Sequence, residues 1–262
     1  MEYYTTNKLY ELFHNSEKFK FSTSNIWELV YGNENSDPLL LALLIGIDDE
    51  NELKNIFQKE AYSHLEYLSK KANLPLICVA FKVEDEINEV YFSNHNQKCF
   101  STLKLDDLAG KFKKYGLQIK NSNTNKYLND KTSSAYHKWQ RDNLGNKITV
   151  SDIDLWVVDI KTKIPIAILE IKRSKILLQN WVPFKRDYPN FKLLSNLCNK
   201  AGLKFKIVYY YMKESSSSSK RLEDISQIKV FDVDFGRSSS ISEGKVYSLA
   251  DFIIYDEWLT NK

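Results

Sequence analysis

Two apolar runs separated by three polar residues constrain the fold of this chain more than any other feature of its sequence. Residues 155–160 and 164–169 are rich in β-branched and other large apolar side chains, and Lys161, Thr162 and Lys163 stand between them. Runs of this length around a short polar turn predict an antiparallel β-hairpin. Acids and bases flank the ends away from the turn, so the hairpin is expected to have an apolar body and a charged end.

The register of the hairpin follows from its turn. If the turn centres on Thr162, Asp154 lies opposite Glu170 and Asp152 lies opposite Lys172. Because side chains alternate along a strand, the two aspartates share one face, as do the glutamate and the lysine. Facing carboxylates repel each other, and a hard divalent cation removes that repulsion by binding carboxylate oxygens together with phosphate and water. The charged end is therefore a candidate metal site.

These residues resemble the PD-(D/E)XK nuclease superfamily, which has a restriction-endonuclease-like fold. The family pattern is an Asp at the start of one strand and Glu-x-Lys on the next. Here the match is Asp154, fifteen intervening residues, then Glu170, Ile171 and Lys172, although Ile153 stands where the family usually has proline or a small turn residue. The resemblance spans roughly residues 133–212. It implies an α-β-β-β-α-β core, Mg²⁺ or Mn²⁺ as cofactor, and hydrolysis of phosphodiester bonds by metal-activated water.

The resemblance implies catalytic roles for Asp154, Glu170 and Lys172. The carboxylates would hold the metal, and the ammonium would steady the nucleophile or the transition state. Asp152 competes with Asp154 as the metal-binding aspartate, or it is a plain turn residue. His137 lies on a helix before the Asp, where exonuclease-like branches place a metal ligand; a structural hydrogen-bonding role is the alternative. A surface salt-bridge cluster is the non-functional interpretation of the whole group.

The order of predicted elements gives the fold class. From residue 133 it is helix, strand, strand, helix, strand, which implies an α/β (α+β) fold with a mixed sheet flanked by helices. Residues 48–73 predict one scaffold helix behind an aspartate cap. The Asn-, Lys- and Thr-rich residues 121–131 predict a connection. We therefore expect an N-terminal α/β region at residues 1–120, for substrate recognition or for subunit or partner contact, and a nuclease domain at residues 121–262.

Charge is distributed unevenly along the chain. Residues 1–60 hold 5 Lys and Arg against 11 Asp and Glu, whereas residues 171–221 hold 12 basic against 2 acidic residues, although the formal net charge is only +3. The second segment predicts a face that binds a polyanion. The candidate phosphate-contacting residues are Lys138, Arg141, Arg173, Lys175, Lys185 and Arg186.

Other features limit the protein class. The longest apolar run, residues 39–47, has nine residues, and about 20 are needed to span a bilayer. The N-terminus lacks the pattern of a secretory signal, and three widely spaced cysteines predict neither a disulfide framework nor a zinc site. We expect a soluble cytoplasmic protein that does not bind a membrane.

The sequence predicts a metal-dependent nuclease with nucleic acid as its partner, DNA favoured over RNA. A catalytically silent nucleic-acid-binding module with the same fold is the alternative. Metal-dependent hydrolysis of another phosphate ester is a third class, and a homodimer remains open. Both the Asp and the Glu-x-Lys are present, which favours an enzyme, since inactive relatives normally lose one of them.

Overall fold

The computed structural model describes residues 7–23, 25–83, 86–119, 134–214, 221–235 and 240–260. Two mixed β-sheets form its framework, which confirms the predicted mixed α/β class. The predicted connection at residues 121–131 lies outside the described ranges. No helix within these ranges is long and apolar enough to cross a membrane.

The first sheet has six strands. In spatial order they are β6 (Ser101–Lys104), β5 (Glu89–Asn94), β4 (Leu76–Lys82), β3 (Pro38–Ile47), β2 (Ile26–Asn33) and β7 (Ile148–Asp152). β3 and β4 run parallel, and the other neighbours run antiparallel. The central strands are apolar along nearly their whole length, as expected for a sheet that is covered on both faces.

The second sheet has seven strands. In spatial order they are β1 (Phe19–Lys20), β8 (Leu155–Val158), β9 (Pro165–Ser174), β10 (Lys204–Glu214), β11 (Arg221–Asp234) and β12 (Ser240–Ile241), with β13 (Lys245–Ser248) also paired to β11. Only β9 and β10 run parallel. A parallel pair needs a crossover connection, and the helix α5 (Tyr188–Ala201) provides it.

Helices complete a layered arrangement. α5 and α2 (Glu60–Ala72) share one core with the facing sides of both sheets. α3 (Leu105–Lys114) and α4 (Ala135–Leu144) cover the outer face of the six-stranded sheet. The outer face of the seven-stranded sheet is covered by α1 (Lys8–Phe13), α6 (Leu249–Ile254) and α7 (Glu257–Thr260). The facing sides of the two sheets therefore enclose a buried helical layer.

The order of elements from α4 to β10 is helix, three strands, helix, strand. The three strands do not form one meander, because β7 pairs with β2 in the six-stranded sheet while β8 and β9 belong to the other sheet. In return, β1 from the N-terminal region pairs with β8. The six-stranded sheet thus includes β7, which follows residue 120, and the seven-stranded sheet includes β1, which precedes it.

Local residues set one end of each of two helices, whereas one predicted helix is wrong. Ser134 caps α4, and Gly202, at φ 71°, ends α5 in the left-handed conformation that favours glycine. The single helix predicted at residues 48–73 is divided into a 3-10 helix, Glu50–Gln58, and α2. The division falls at Lys59, whose ψ of 143° is extended and breaks the helical hydrogen-bond pattern.

Candidate active site

The charged end of the β8–β9 hairpin faces the helical layer between the sheets. Leu155 pairs with Leu169, which confirms the predicted register at this end of the hairpin; toward the turn the register shifts by one residue, and Val158 pairs with Pro165. One residue before β8, Asp154 lies opposite Glu170 in the same register. Trp156 belongs to the core between the sheets, and side chains alternate along a strand. The two carboxylates therefore point into the space between the sheets.

Asp154 is half-buried and held at two points. The backbone N–H of Ile171 donates to its Oδ2 at 2.8 Å. The hydroxyl of Tyr10 donates to its backbone carbonyl oxygen at 3.3 Å. Tyr10 comes from α1, so the N-terminal region helps to position this aspartate, a contact that nothing in the sequence pattern indicated.

Glu170 is buried, with 4% of its surface exposed. Lys172 donates from Nζ to its Oε1 at 2.6 Å and lies 5.7 Å from the centre of the Phe191 ring. Within the described part of the chain, Glu170 Oε2 is buried and has no hydrogen-bond partner. An unsatisfied buried carboxylate oxygen is costly. The glutamate end of this ion pair is therefore buried, while the lysine side chain stays 30% exposed.

The electrostatics of the site come from burial and from like charges. Burial raises the pKa of Asp154 well above its ordinary value, and the charges of Glu170 and Asp152 raise it further. Burial likewise raises the pKa of Glu170, although the Lys172 ammonium opposes that shift. Burial alone would lower the pKa of Lys172, but Glu170 and Asp154 raise it above its ordinary value. A divalent cation between the carboxylates would relieve their repulsion.

Asp152 lies at the end of β7, in the other sheet. It pairs with Leu29 of β2, so the predicted pairing of Asp152 with Lys172 across the hairpin is wrong. The chain changes sheets between Asp152 and Asp154. The exposed Asp152 side chain is nevertheless close enough for its charge to raise the pKa of Glu170. A role for Asp152 as a metal ligand remains a prediction.

His137 caps its own helix. Its Nδ1 accepts the backbone N–H of Ser134 at 3.2 Å, in a capping box at the start of α4. Burial lowers the pKa of His137 to about 4, so the ring is neutral near pH 7. Because Nδ1 accepts a hydrogen bond, the neutral ring carries its proton on Nε2. Metal binding by His137, which remains a prediction, would require loss of the cap hydrogen bond.

Glu28 was not singled out from the sequence, although it holds the chain on both sides of Asp154. Its Oε2 accepts from Trp156 Nε1 at 2.8 Å, and its backbone carbonyl accepts the N–H of Ile153 at 2.9 Å. Its other carboxylate oxygen accepts from the Ser22 hydroxyl. An acid at an inward position of the apolar strand "IWELVYG" was the available signal.

The predicted phosphate-contacting residues come from three parts of the chain, namely β9, which carries Arg173, the loop that follows it, and α4. Lys175, Lys185 and Arg186 are exposed on the loop between β9 and α5, which we call the β9–α5 loop, residues 175–187. Lys138 is exposed on α4, and Arg141 on the same helix is half-buried. α4 belongs to the outer layer of the six-stranded sheet. The loop leads directly from the strand of Glu170 to α5.

Arg173 corrects the prediction of a single polyanion-binding face. It forms an ion pair with Glu223 of β11, in which the two side chains are 12% and 3% exposed. Because it is buried in this ion pair, the Arg173 side chain is not placed to contact a phosphate. Lys206 is likewise buried and paired with Asp232. The excess of basic over acidic residues in 171–221 therefore includes cations that form ion pairs within the sheet and do not lie on a binding surface.

Across the described ranges, no group of three or more His, Cys, Asp and Glu side chains is arranged to hold a metal ion. Asp154 and Glu170 are thus a two-carboxylate pair, which matches the protein contribution to many Mg²⁺ sites. Comparison with protein-family models, curated proteins and solved structures finds no match to this chain.

Proposed function

We propose that the protein is a metal-dependent nuclease that hydrolyses phosphodiester bonds in nucleic acid, with DNA favoured over RNA. The observation that carries this proposal is the apposition of Asp154 and Glu170, with one oxygen of the buried glutamate lacking a hydrogen-bond partner among the described residues. The adjacent Lys172 ammonium and the resemblance of these residues to PD-(D/E)XK nucleases support the same chemistry.

The donor set fits Mg²⁺ or Mn²⁺. Hard cations prefer carboxylate oxygens, and Mg²⁺ commonly takes one or two protein carboxylates together with phosphate oxygens and water. Asp154 and Glu170 would hold the ion, and the unpartnered Glu170 Oε2 is a ready acceptor. When bound, such an ion lowers the pKa of a water molecule and neutralises charge that develops on the phosphate.

The side chains of the site divide the remaining work. Asp154 keeps its orientation through the Ile171 N–H, and Glu170 keeps its own through Lys172. Because neighbouring carboxylates raise its pKa, Lys172 acts as a cation and not as a general base. With 30% of its side chain exposed, Lys172 can reach a bound phosphate and stabilise negative charge on it.

A catalytically silent nucleic-acid-binding module is the competing proposal. Burying two carboxylates that repel each other costs stability. A surface that only binds nucleic acid does not need the two carboxylates, whereas a metal-dependent enzyme needs them to hold its cation. The carboxylate pair therefore favours the enzyme.

We expect the protein to cleave nucleic acid in Mg²⁺ or Mn²⁺ and to leave it intact in EDTA. The measurement is incubation with linear and circular, single- and double-stranded DNA and RNA, together with a small phosphate ester. A Glu170→Gln preparation, purified in parallel, controls for contaminating nucleases. Binding without product in every metal would support the silent module. Turnover of the small ester alone would support a different phosphoesterase.

A further inference from the structure

Large apolar side chains are exposed together on the β9–α5 loop. The exposed fractions are 38% for Ile176, 53% for Leu177, 59% for Val182 and 39% for Phe184. Single exposed apolar residues are ordinary on a protein surface. Four of them within nine residues of one loop are more than such scattered exposure, and a partner would be expected to cover them.

The loop is anchored, so these side chains have a fixed place. Trp181 is buried and stacks on Tyr209, with 4.1 Å between ring centroids. The Lys229 ammonium donates to the carbonyl oxygens of Gln179 and Trp181 at 3.3 and 3.1 Å. Leu178 packs into the core between the sheets. These contacts fix the backbone of the loop beneath its exposed apolar side chains. A partner that covers those side chains would gain the free energy of burying them.

Cations and the candidate site border this apolar group. Lys185 and Arg186 are exposed on the same loop, and the Arg186 guanidinium lies 5.3 Å from the centre of the Phe184 ring. The loop starts directly after β9, the strand of Glu170, and leads into α5, whose Phe191 ring lies 5.7 Å from the Lys172 ammonium. A ligand that lies along the loop would therefore reach the site.

We propose that the β9–α5 loop binds the unpaired bases of a single-stranded nucleic acid next to Glu170, with Phe184 as the stacking surface and Lys175, Lys185 and Arg186 as phosphate contacts. This inference rests on the proposed nuclease function and names its substrate class. A single strand offers flat apolar bases on an anionic backbone, and proteins bind it through aromatic side chains within a basic groove.

A fully paired duplex fits this loop less well. Its base faces are stacked inside the helix, so it presents phosphates and groove edges to a protein. Those groups match the cations of the loop but leave Val182 and Phe184 without an apolar counterpart. A single strand, or the unpaired part of a branched molecule, satisfies both kinds of side chain.

Fluorescence anisotropy with a labelled oligothymidine in EDTA measures this binding without cleavage. Phe184→Ala and Phe184→Leu should each weaken binding roughly 5- to 150-fold, the effect of removing one aromatic stacking partner. Phe184→Trp keeps an aromatic face and should retain affinity. Ile254→Ala is the matched control and should bind as the wild type does, because Ile254 is an exposed apolar residue on α6.

Thermal unfolding verifies that each variant is folded, and Phe184→Leu retains apolar bulk beside Trp181. Equal affinity of the wild type and both Phe184 variants would overturn the proposal. Tighter binding to a duplex of the same length would also overturn it. So would a Phe184 substitution that weakens binding to anionic phospholipid vesicles, or weakens self-association, while oligonucleotide binding stays unchanged. Phe184-dependent binding without cleavage would contradict the nuclease proposal alone. Cleavage without a Phe184 effect would contradict the loop proposal alone.

Discussion

Asp154→Asn and Glu170→Gln are each expected to lower the rate of metal-dependent cleavage at least about a thousandfold, or about 4 kcal/mol of transition-state stabilisation. An amide has the shape of a carboxylate but lacks the negative charge that holds a divalent cation. A bound metal contributes several kcal/mol to reactions of this class. Single-turnover cleavage in saturating Mg²⁺ measures the effect.

Asp159→Asn is the matched control for these variants. Asp159 lies at the turn end of the same hairpin, where it is half-buried and accepts the backbone N–H of Thr162 at 2.7 Å. It should cleave at the wild-type rate. In EDTA, Asp154→Asn should also unfold at a higher temperature than the wild type, because it removes a charge that faces Glu170 and keeps an oxygen that can accept the Ile171 N–H. Wild-type rates in both site variants would rule out the assigned site.

Glu28→Gln is expected to stabilise the protein near pH 8 by about 3 kcal/mol more than near pH 4. Burial raises the pKa of Glu28 from 4.5 to about 7, against hydrogen bonds from Ser22 and Trp156. Between these values the unfolded state releases the proton while the folded state keeps it. The stability that protonated Glu28 contributes is therefore present below about pH 4.5 and is lost as the pH rises through about 7. Glutamine does not titrate, so the Glu28→Gln variant does not lose this stability.

Urea unfolding of the wild type and Glu28→Gln across this pH range measures the difference. Other titrating groups are common to both proteins and cancel. Glu89→Gln, at an exposed position on β5, should show no such pH-dependent gain. A stability difference between wild type and Glu28→Gln that is constant with pH would contradict the buried, proton-retaining state of Glu28.

The hairpin register could be predicted because it depends on local features. The apolar runs and the polar turn lie within 24 consecutive residues, and the observed pairing of Leu155 with Leu169 follows from them. A strand has only two faces, so the buried pattern selects one register. The apposition of Asp154 and Glu170 was therefore accessible from the sequence.

The change of sheet before Asp154 could not be predicted in the same way. It depends on Ile153 donating its N–H to Glu28, a residue more than a hundred positions away. Pairings over such distances leave no periodic signal in either segment. The supports that Tyr10 and Glu28 give to Asp154 were missed for the same reason.

The charge of residues 171–221 illustrates a different limit. A count of basic residues does not say which side of a strand each occupies. Lys172 and Arg173 are adjacent, yet one pairs with Glu170 in the site and the other with Glu223 of β11. Alternation along β9 separates them, and the acidic partners become apparent only once the strands are placed.

Calorimetric titration of Mn²⁺ into the protein, without nucleic acid, tests the carboxylate pair most directly. Because the pKa values of Asp154 and Glu170 are raised, ion binding should displace protons, and the heat should vary with the ionisation enthalpy of the buffer. We expect the wild type to bind the ion in this way and Glu170→Gln to lose the binding, with Asp159→Asn unchanged. Equal binding by the wild type and Glu170→Gln, or no binding by the wild type, would contradict a metal site at Asp154 and Glu170.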